Sequence, residues 1–235
     1  MEARPVDYRP RSVRKAEFLK KLYPVYAGTR LYQAFEMFDR WDFTPKGQKS
    51  LAYQNRVINL GSGSSISEPL LVARIITLSG LALTSFDPQK TVLEIGTGAG
   101  FQTALLSHCA KEIYTIEYNP RLLITAQRIL SSLGISNVYF RLGDGLQGWP
   151  GHLKFDAIIL SAAAKEMPPQ LLIQLNHRGK MVIPIGDLYD QELTVATKHH
   201  DRITTQVIGK VKFYPLISDE TGGFNEEDFK NPDLK

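Results

Sequence analysis

Short apolar runs alternate with stretches of helical periodicity through most of the chain. Because a parallel strand needs a helix to return the chain to the same edge of the sheet, this alternation predicts an α/β fold. We expect a doubly wound, mostly parallel sheet of seven strands. The predicted strands are residues 92–95, 112–117, 137–142, 155–160, 180–185, 191–197 and 204–214, and the clearest predicted helices are residues 68–79, 121–133 and 168–175.

The beginning of the chain carries helical periodicity and no strand pattern. Apolar residues recur at steps of three and four between residues 12 and 38, which indicates amphipathic helices. Pro24 and Gly28 are expected to divide this stretch into two helices, and the polar residues 41–54 predict a connection. We therefore divide the chain into a helical extension (1–54), a main domain (55–217) and an acidic tail (218–235).

A glycine-rich turn follows the first predicted strand and is the clearest chemical signal. Gly96, Gly98 and Gly100 form a G-x-G-x-G pattern after the acidic strand residue Glu94. The dinucleotide fingerprint places its third glycine one residue later, where this chain has Phe101. The shorter spacing instead resembles the turn that binds S-adenosylmethionine (SAM), a cofactor that has no pyrophosphate and does not need the longer turn. A strand-to-helix turn without a ligand is the alternative.

Two further acids stand at the ends of the next predicted strands. Glu117 lies 21 positions after Gly96, the spacing of an acid that binds ribose hydroxyls. Asp144 lies between Gly143 and Gly145, where it could accept a hydrogen bond from an adenine amino group while Gly145 leaves room for the ring. For Glu117, a solvated strand end without a ligand is the alternative.

Residues 59–69 form a serine- and glycine-rich stretch before a predicted helix. We expect a flexible loop with many hydroxyl groups. Ser67 stands where a helix N-cap belongs, and Pro69 falls in the first turn, where proline is tolerated. Ser67 could equally face a bound ligand, and both roles stay open.

Composition narrows the class of protein further. Hydrophobic residues make up 43% and charged residues 22% of the 235 residues, and the net charge is +4. No apolar run approaches the roughly 20 residues of a membrane span, and the basic residues near the start lack the interleaved aromatics of a nucleic-acid surface. We therefore expect neither a membrane nor a nucleic acid as a partner, and no bound metal. The single cysteine, Cys109, is expected to be a buried structural residue, and the cytoplasm is the expected location.

Together these motifs resemble class I SAM-dependent methyltransferases and, more specifically, the protein-L-isoaspartate O-methyltransferase family. The likeness extends over residues 52–216. The segments that carry it are residues 92–103, 143–145, 148–150, 155–159, 162–164, 166–169, 182–186 and 211–216. The resemblance implies a Rossmann-like methyltransferase sheet over residues 55–217, with SAM as the cofactor and S-adenosylhomocysteine as the product.

The serine-rich stretch aligns with the family signature G-x-G-Q-T-I-S-x-P. Ile66, Ser67 and Pro69 match it, whereas Ser64 and Ser65 replace the glutamine and the threonine. The resemblance places the family's active-site serine at Ser67, which we expect to orient a substrate carboxylate. The implied cofactor-binding residues are Ser64, Ser65, Ile66, Glu94, Gly96, Gly98, Gly100, Glu117, Asp144 and Gly145.

Members of this family methylate the α-carboxylate of L-isoaspartyl residues in damaged proteins, so the resemblance implies protein repair. The partners would be isoaspartyl peptides and proteins, bound by a monomer. The changes at Ser64 and Ser65, and the lack of a legible family element before Ala52, keep two alternatives open. One is a methyltransferase of the same family that acts on another acceptor, and the other is a SAM-binding module without turnover.

Overall fold

The computed structural model describes residues 9–61, 63–81 and 89–218. The helices are α1 (Arg11–Tyr26), α2 (Arg30–Met37), α3 (Arg40–Phe43), α4 (Pro69–Leu78), α5 (Phe101–Cys109), α6 (Pro120–Ser132) and α7 (Pro169–Ile173). The strands are β1 (Ile58–Gly61), β2 (Ser64–Ile66), β3 (Thr91–Ile95), β4 (Glu112–Glu117), β5 (Val138–Leu142), β6 (Phe155–Leu160), β7 (Leu175–Gly186), β8 (Gln191–His199) and β9 (Arg202–Val211). Lys46–Leu51 and Gly145–Gln147 form 3₁₀ helices.

The main sheet has seven strands in the order β5-β4-β3-β6-β7-β8-β9. Strands β3 to β7 pair in parallel, and β8 runs antiparallel to both of its neighbours. The chain order reverses at β3, which lies between β4 and β6. Open α/β sheets bind ligands at such a point, outside the carboxyl ends of the strands. The predicted mostly parallel, Rossmann-like sheet is confirmed.

Alternate residues of the central strand enter opposite sides of the core. Val92 belongs to one buried apolar cluster, while Leu93 and Ile95 belong to a second. This alternation follows from the two-residue period of a strand, and a strand covered on both faces is largely apolar. Helices α1, α2, α4, α5 and α6 contribute to the first cluster and α7 to the second.

The helical extension shares the core of the sheet domain. The rings of Phe35 on α2 and Phe43 on α3 lie 6.0 and 5.5 Å, centre to centre, from the ring of Phe101 at the start of α5. The predicted connection over residues 41–54 instead contains most of α3 and a 3₁₀ helix. The division at residue 54 stays a prediction, since the apolar packing is continuous across it.

Tertiary pairing changes the serine-rich stretch from the predicted loop into a hairpin. Strands β1 and β2 pair antiparallel, with Ile58 opposite Ile66. The predicted N-cap role of Ser67 is wrong: Glu68 occupies that position, and its side chain makes no capping hydrogen bond. Strand β9 ends at Val211, before the predicted Tyr214, and the predicted tail lies almost wholly outside the described residues.

No described helix is both long and apolar enough to cross a lipid bilayer. In the same part of the chain, no group of three or more His, Cys, Asp or Glu side chains is arranged to hold a metal ion.

Candidate functional site

An open cleft of about 1190 Å³ lies at the carboxyl edge of the sheet, where the chain order reverses. Typical ligand pockets measure about 300–1,000 Å³, so this cleft has room for a cofactor and part of an acceptor. Its walls come from the turns after β3 to β6, the hairpin, α4 and the segment after β9. The sequence-predicted residues that line it are Ser64, Ser65, Ser67, Gly96, Gly98, Glu117 and Gly145.

Glu117 holds the glycine turn by accepting hydrogen bonds from the backbone. Its Oε2 accepts from the Gly98 N–H at 2.8 Å, and its Oε1 accepts from the Asn119 N–H at 2.9 Å. A carboxylate offers about four acceptor sites, so two remain while the side chain lines the cleft. Gly98, with φ of 55°, lies close to the hairpin: a Cβ built on it would stand 3.9 Å from the Ser65 carbonyl oxygen.

Gly100 lies outside the cleft lining, contrary to the expected cofactor contact. It has φ of 88°, and a Cβ built on it would lie 3.2 Å from both Ala126 Cβ and Leu130 Cδ1 on α6. The third glycine of the motif therefore permits close packing of α6 against the turn. The packing of α6 and the positive φ together explain why a glycine stands at this position of the motif.

Glu94 also lies outside the cleft, because its side chain is fully buried beneath the glycine turn. Gln102 Nε2 donates to its Oε1 at 3.0 Å, while the Thr103 and Thr115 hydroxyls donate to its Oε2 at 2.6 and 2.8 Å. Burial raises the pKa of Glu94 to about 7. This geometry ties β3 to α5 and β4 and supports the turn from below.

Asp144 is not among the residues that line the cleft, although Gly143 and Gly145 on either side of it are, and its carboxylate is already engaged. Its Oδ1 accepts from the Leu146 N–H at 2.9 Å, and its Oδ2 accepts from the Ser218 hydroxyl. The neighbouring Gly145 lines the cleft, yet a Cβ built on it would lie only 2.1 Å from Ile95 Cγ2. The absence of a side chain at Gly145 is therefore required first by the packing of Ile95.

The serine hairpin forms the opposite lip of the cleft. Ser64, Ser65 and Ser67 line it, whereas Ile66 is 5% exposed and packs into the core. Among the described residues, the Ser67 hydroxyl has no hydrogen-bond partner, although the Ser67 carbonyl oxygen accepts from Arg40 Nη2 at 2.9 Å. A hydroxyl that caps no helix and lines a cleft is available to a ligand.

Arg40 is a site component that the sequence patterns missed. Its side chain is 2% exposed and reaches from α3 to the hairpin. Periodicity gives no warning, because the residue lies between the predicted helical stretch, which ends at residue 38, and the predicted connection, which begins at residue 41. The one signal in the sequence is the group of aromatic residues at positions 38–43. An arginine among side chains that prefer burial is itself expected to be buried.

The polar groups and glycines of this site fit SAM. Glu117 offers free acceptor sites for ribose hydroxyls, Gly96 and Gly98 allow close approach of the backbone, and the Asp144–Gly145 turn closes the end suited to adenine. The fold and the site together define a Rossmann-like, SAM-dependent methyltransferase.

Comparison with known proteins specifies the family. The family model described as protein-L-isoaspartate(D-aspartate) O-methyltransferase matches residues 14–221. A protein-L-isoaspartate O-methyltransferase from Polaromonas sp. is 42% identical over 179 residues, which cover 75% of this chain and 82% of the relative. The chain belongs to the protein-L-isoaspartate(D-aspartate) O-methyltransferase family, and it is a SAM-dependent carboxyl methyltransferase.

Solved structures agree with this fold. A protein-L-isoaspartate O-methyltransferase has a TM-score of 0.76 and 26% identity, over 89% of this chain and 67% of that chain. A second structure, from Plasmodium falciparum and in complex with S-adenosylhomocysteine, has a TM-score of 0.73 and 21% identity, over 87% and 98% of the two chains. The sequence-based predictions of the family, the fold class, the cofactor and protein-L-isoaspartate O-methylation as the activity are confirmed at the level of the family.

Proposed function

We propose that the enzyme methylates the α-carboxylate of L-isoaspartyl residues in damaged proteins, and that Ser67 orients this carboxylate. The observation that carries the proposal is the Ser67 hydroxyl, which lines the cleft and has no hydrogen-bond partner in the described part of the chain. Because Glu68 occupies the N-cap position, the hydroxyl is not used by α4. The resulting ester would close to a succinimide without the enzyme.

The chemistry requires positioning and not proton transfer. A carboxylate with a reference pKa of about 4 is already ionised at neutral pH, so it can attack without a general base. When bound, SAM supplies a methyl group on a sulfonium centre, which leaves as a neutral thioether. The work of the protein is to hold the carboxylate in line and to keep water from solvating it.

The residues that line the cleft divide this work. We assign Gly96 and Gly98 to the methionine portion of SAM, Glu117 to the ribose, and the Asp144–Gly145 turn to the adenine. Ser64 and Ser65, on the hairpin, contact the cofactor and the mouth of the acceptor site. Glu94, Gly100 and Ile66 act from below the surface, as supports for the turn and the hairpin.

Radiolabelled SAM tests the acceptor. We expect methyl transfer to an isoaspartyl peptide and none to the peptide of the same sequence with a normal aspartyl residue. Transfer to neither peptide while SAM binds would contradict the proposal and favour another acceptor or a module without turnover. Transfer to the aspartyl peptide alone would show a carboxyl methyltransferase of different specificity.

We further propose that the enzyme acts as a monomer in the cytoplasm. The single cysteine, Cys109, is buried and its pKa is raised to about 12 by burial, which suits a structural thiol in a reducing compartment. Size-exclusion chromatography with light scattering would measure the mass directly, and a dimer would contradict the first statement.

A further inference from the structure

The guanidinium of Arg40 joins the helical extension to the loop that carries Ser67. Its Nη1 donates to the carbonyl oxygens of Ala52 and Gln54 at 3.2 and 3.3 Å. Its Nη2 donates to the carbonyl oxygens of Arg56 and Ser67, each at 2.9 Å, and lies 3.4 Å from that of Ile66. One side chain on α3 thus holds the chain on both sides of the serine hairpin.

This cation is buried with no carboxylate within ion-pair distance among the described residues, although the charge of Glu68 acts on it from farther away. Arg40 is 2% exposed, and its Nε has no hydrogen-bond partner. Burial lowers the pKa of Arg40 to about 10, so it stays charged at neutral pH. Removing a charge from water is costly, and an apolar side chain of similar volume is often as stable or more stable. Packing alone therefore gives little reason for an arginine at this position.

The carbonyl contacts supply that reason. Ser67 lies between the end of β2 and the start of α4. Pro69, at the first position of α4, has no N–H, so it cannot donate a hydrogen bond to the Ser67 carbonyl oxygen. The hydrogen bond from Arg40 fixes the Ser67 peptide, and with it the backbone position from which the unpartnered hydroxyl extends. The planar guanidinium can reach several carbonyls at once, which an ammonium group cannot.

We propose that Arg40 is a positioning residue for methyl transfer, which holds the Ser67 loop so that its hydroxyl faces the acceptor carboxylate. This inference rests on the proposed role of Ser67. It assigns part of the machinery to the helical extension, because α3 carries the arginine. Cofactor binding should depend on Arg40 far less than turnover does, since Arg40 does not line the cleft and its hydrogen bonds reach neither Ser64 nor Ser65.

Arg40→Met and Arg40→Lys test the proposal, with Arg14→Met as the matched control. Arg14 is also a buried arginine whose Nε has no partner, but it stacks on Trp41 and Tyr53 and makes no contact with the Ser67 loop. We expect Arg40→Met to lower kcat/KM for an isoaspartyl peptide about 10- to 100-fold, as small misplacements do. The Kd for SAM should stay within about threefold, and Arg40→Lys should recover part of the loss.

The Arg14→Met control separates a loss of positioning of the Ser67 loop from a general loss of folding stability. Because Arg14→Met removes the contacts of the guanidinium with the Trp41 and Tyr53 rings, its melting temperature should fall, while its kcat/KM for the peptide should stay within about twofold of the wild type. A double variant gives the sharpest readout. If Arg40 acts through Ser67, adding Arg40→Met to Ser67→Ala should lower kcat/KM by less than about threefold beyond Ser67→Ala alone.

Four results would overturn the inference: wild-type peptide turnover in Arg40→Met, an equal loss of SAM affinity, additive losses in the double variant, or failure of both Arg40 variants to fold while Arg14→Met folds. The last result would make Arg40 a structural residue. If the wild-type enzyme itself fails to methylate the isoaspartyl peptide, the proposed function fails, and that outcome is seen before any variant is compared.

Discussion

At the scale of single residues, the Ser67 hydroxyl is the group on which the proposed chemistry depends. A hydrogen bond to a charged group contributes about 1–3 kcal/mol. We therefore expect Ser67→Ala to lower kcat/KM for an isoaspartyl peptide about 10- to 100-fold, with the Kd for SAM, measured by calorimetry, nearly unchanged. Ser132→Ala, at the exposed end of α6, is the control. Unchanged turnover in Ser67→Ala would remove Ser67 from the mechanism.

Glu94 links stability to pH in a direction unusual for a carboxylate. Its pKa in the folded protein is about 7, above the 4.5 of the free side chain, so the folded state binds the proton more tightly. This contribution to stability is fully present below pH 4.5 and is lost as the pH rises through 7. The loss amounts to about 3 kcal/mol.

Glu94→Gln removes this titration while keeping the shape of the side chain. We expect the free energy of unfolding of the wild type to fall more steeply between pH 5 and pH 8 than that of Glu94→Gln, as measured by urea unfolding at both pH values. All other titrating groups are common to the two proteins and cancel in the comparison. Parallel pH profiles would show that Glu94 does not titrate in this range.

Gly145 gives a second test at the residue scale. A methyl group at this position would meet Ile95 Cγ2 at 2.1 Å, well inside contact distance. Overpacking of this kind costs about 1–3 kcal/mol, so Gly145→Ala should lower the free energy of unfolding by that amount. Gly47→Ala is the matched control, since a Cβ there meets nothing within 4 Å. Equal stability of the two variants would contradict the packing explanation.

At the scale of elements, the short helix α3 depends on its N-cap, Asp39. The Asp39 carboxylate accepts from the Trp41 N–H at 3.0 Å, from Arg11 Nε at 2.9 Å and from the Tyr53 hydroxyl at 2.7 Å. A helix of four residues cannot hold its shape by propensity alone. This network therefore fixes the element that carries Arg40.

Asp39→Ala should lower the free energy of unfolding by about 2–4 kcal/mol, because it removes a cap and leaves buried donors without partners. Asp39→Asn keeps a capping oxygen and should lose less. Urea unfolding measures both. Equal stability of the two variants would contradict the capping role of the side-chain oxygen, and wild-type stability of Asp39→Ala would contradict the whole prediction.

The sequence predicts the elements well where one residue pattern decides them. Strands β4 and β6 begin and end where the sequence places them, because both are apolar runs bounded by polar residues. The hairpin β1–β2 was predicted as a loop, since serines and glycines carry no strand pattern. Its backbone pairing is decided by Ile58 and Ile66, which are both buried in the core that the helical extension completes.

At the scale of the whole molecule, cofactor binding should stabilise the folded state by mass action. At a SAM concentration 100-fold above its Kd the gain is about 2.7 kcal/mol, which for a chain of this size raises the melting temperature by roughly 5–10 °C. A nicotinamide dinucleotide at the same concentration should produce no shift, because the glycine turn lacks the longer phosphate-binding spacing. A shift with the dinucleotide alone would overturn the cofactor assignment.

The site could be predicted only in part. The sequence placed Gly96, Gly98 and Glu117 near one another, because carboxyl ends of neighbouring parallel strands share an edge. It could not show that Glu94 and Gly100 face away from the cleft, since both sit in the same motif and only packing against α5 and α6 separates their roles. It also gave Ser67 two roles, and the position of Glu68 removed one of them.

By itself the sequence determined the sheet class, the cofactor and the family, because local patterns and motif spacing are properties of neighbouring residues. The tertiary structure alone decided which motif residues line the cleft and how the helical extension reaches the site. Arg40 shows the physical reason. Its five carbonyl contacts lie 12 to 27 positions along the chain, and such distant partners are brought together only when the core packs.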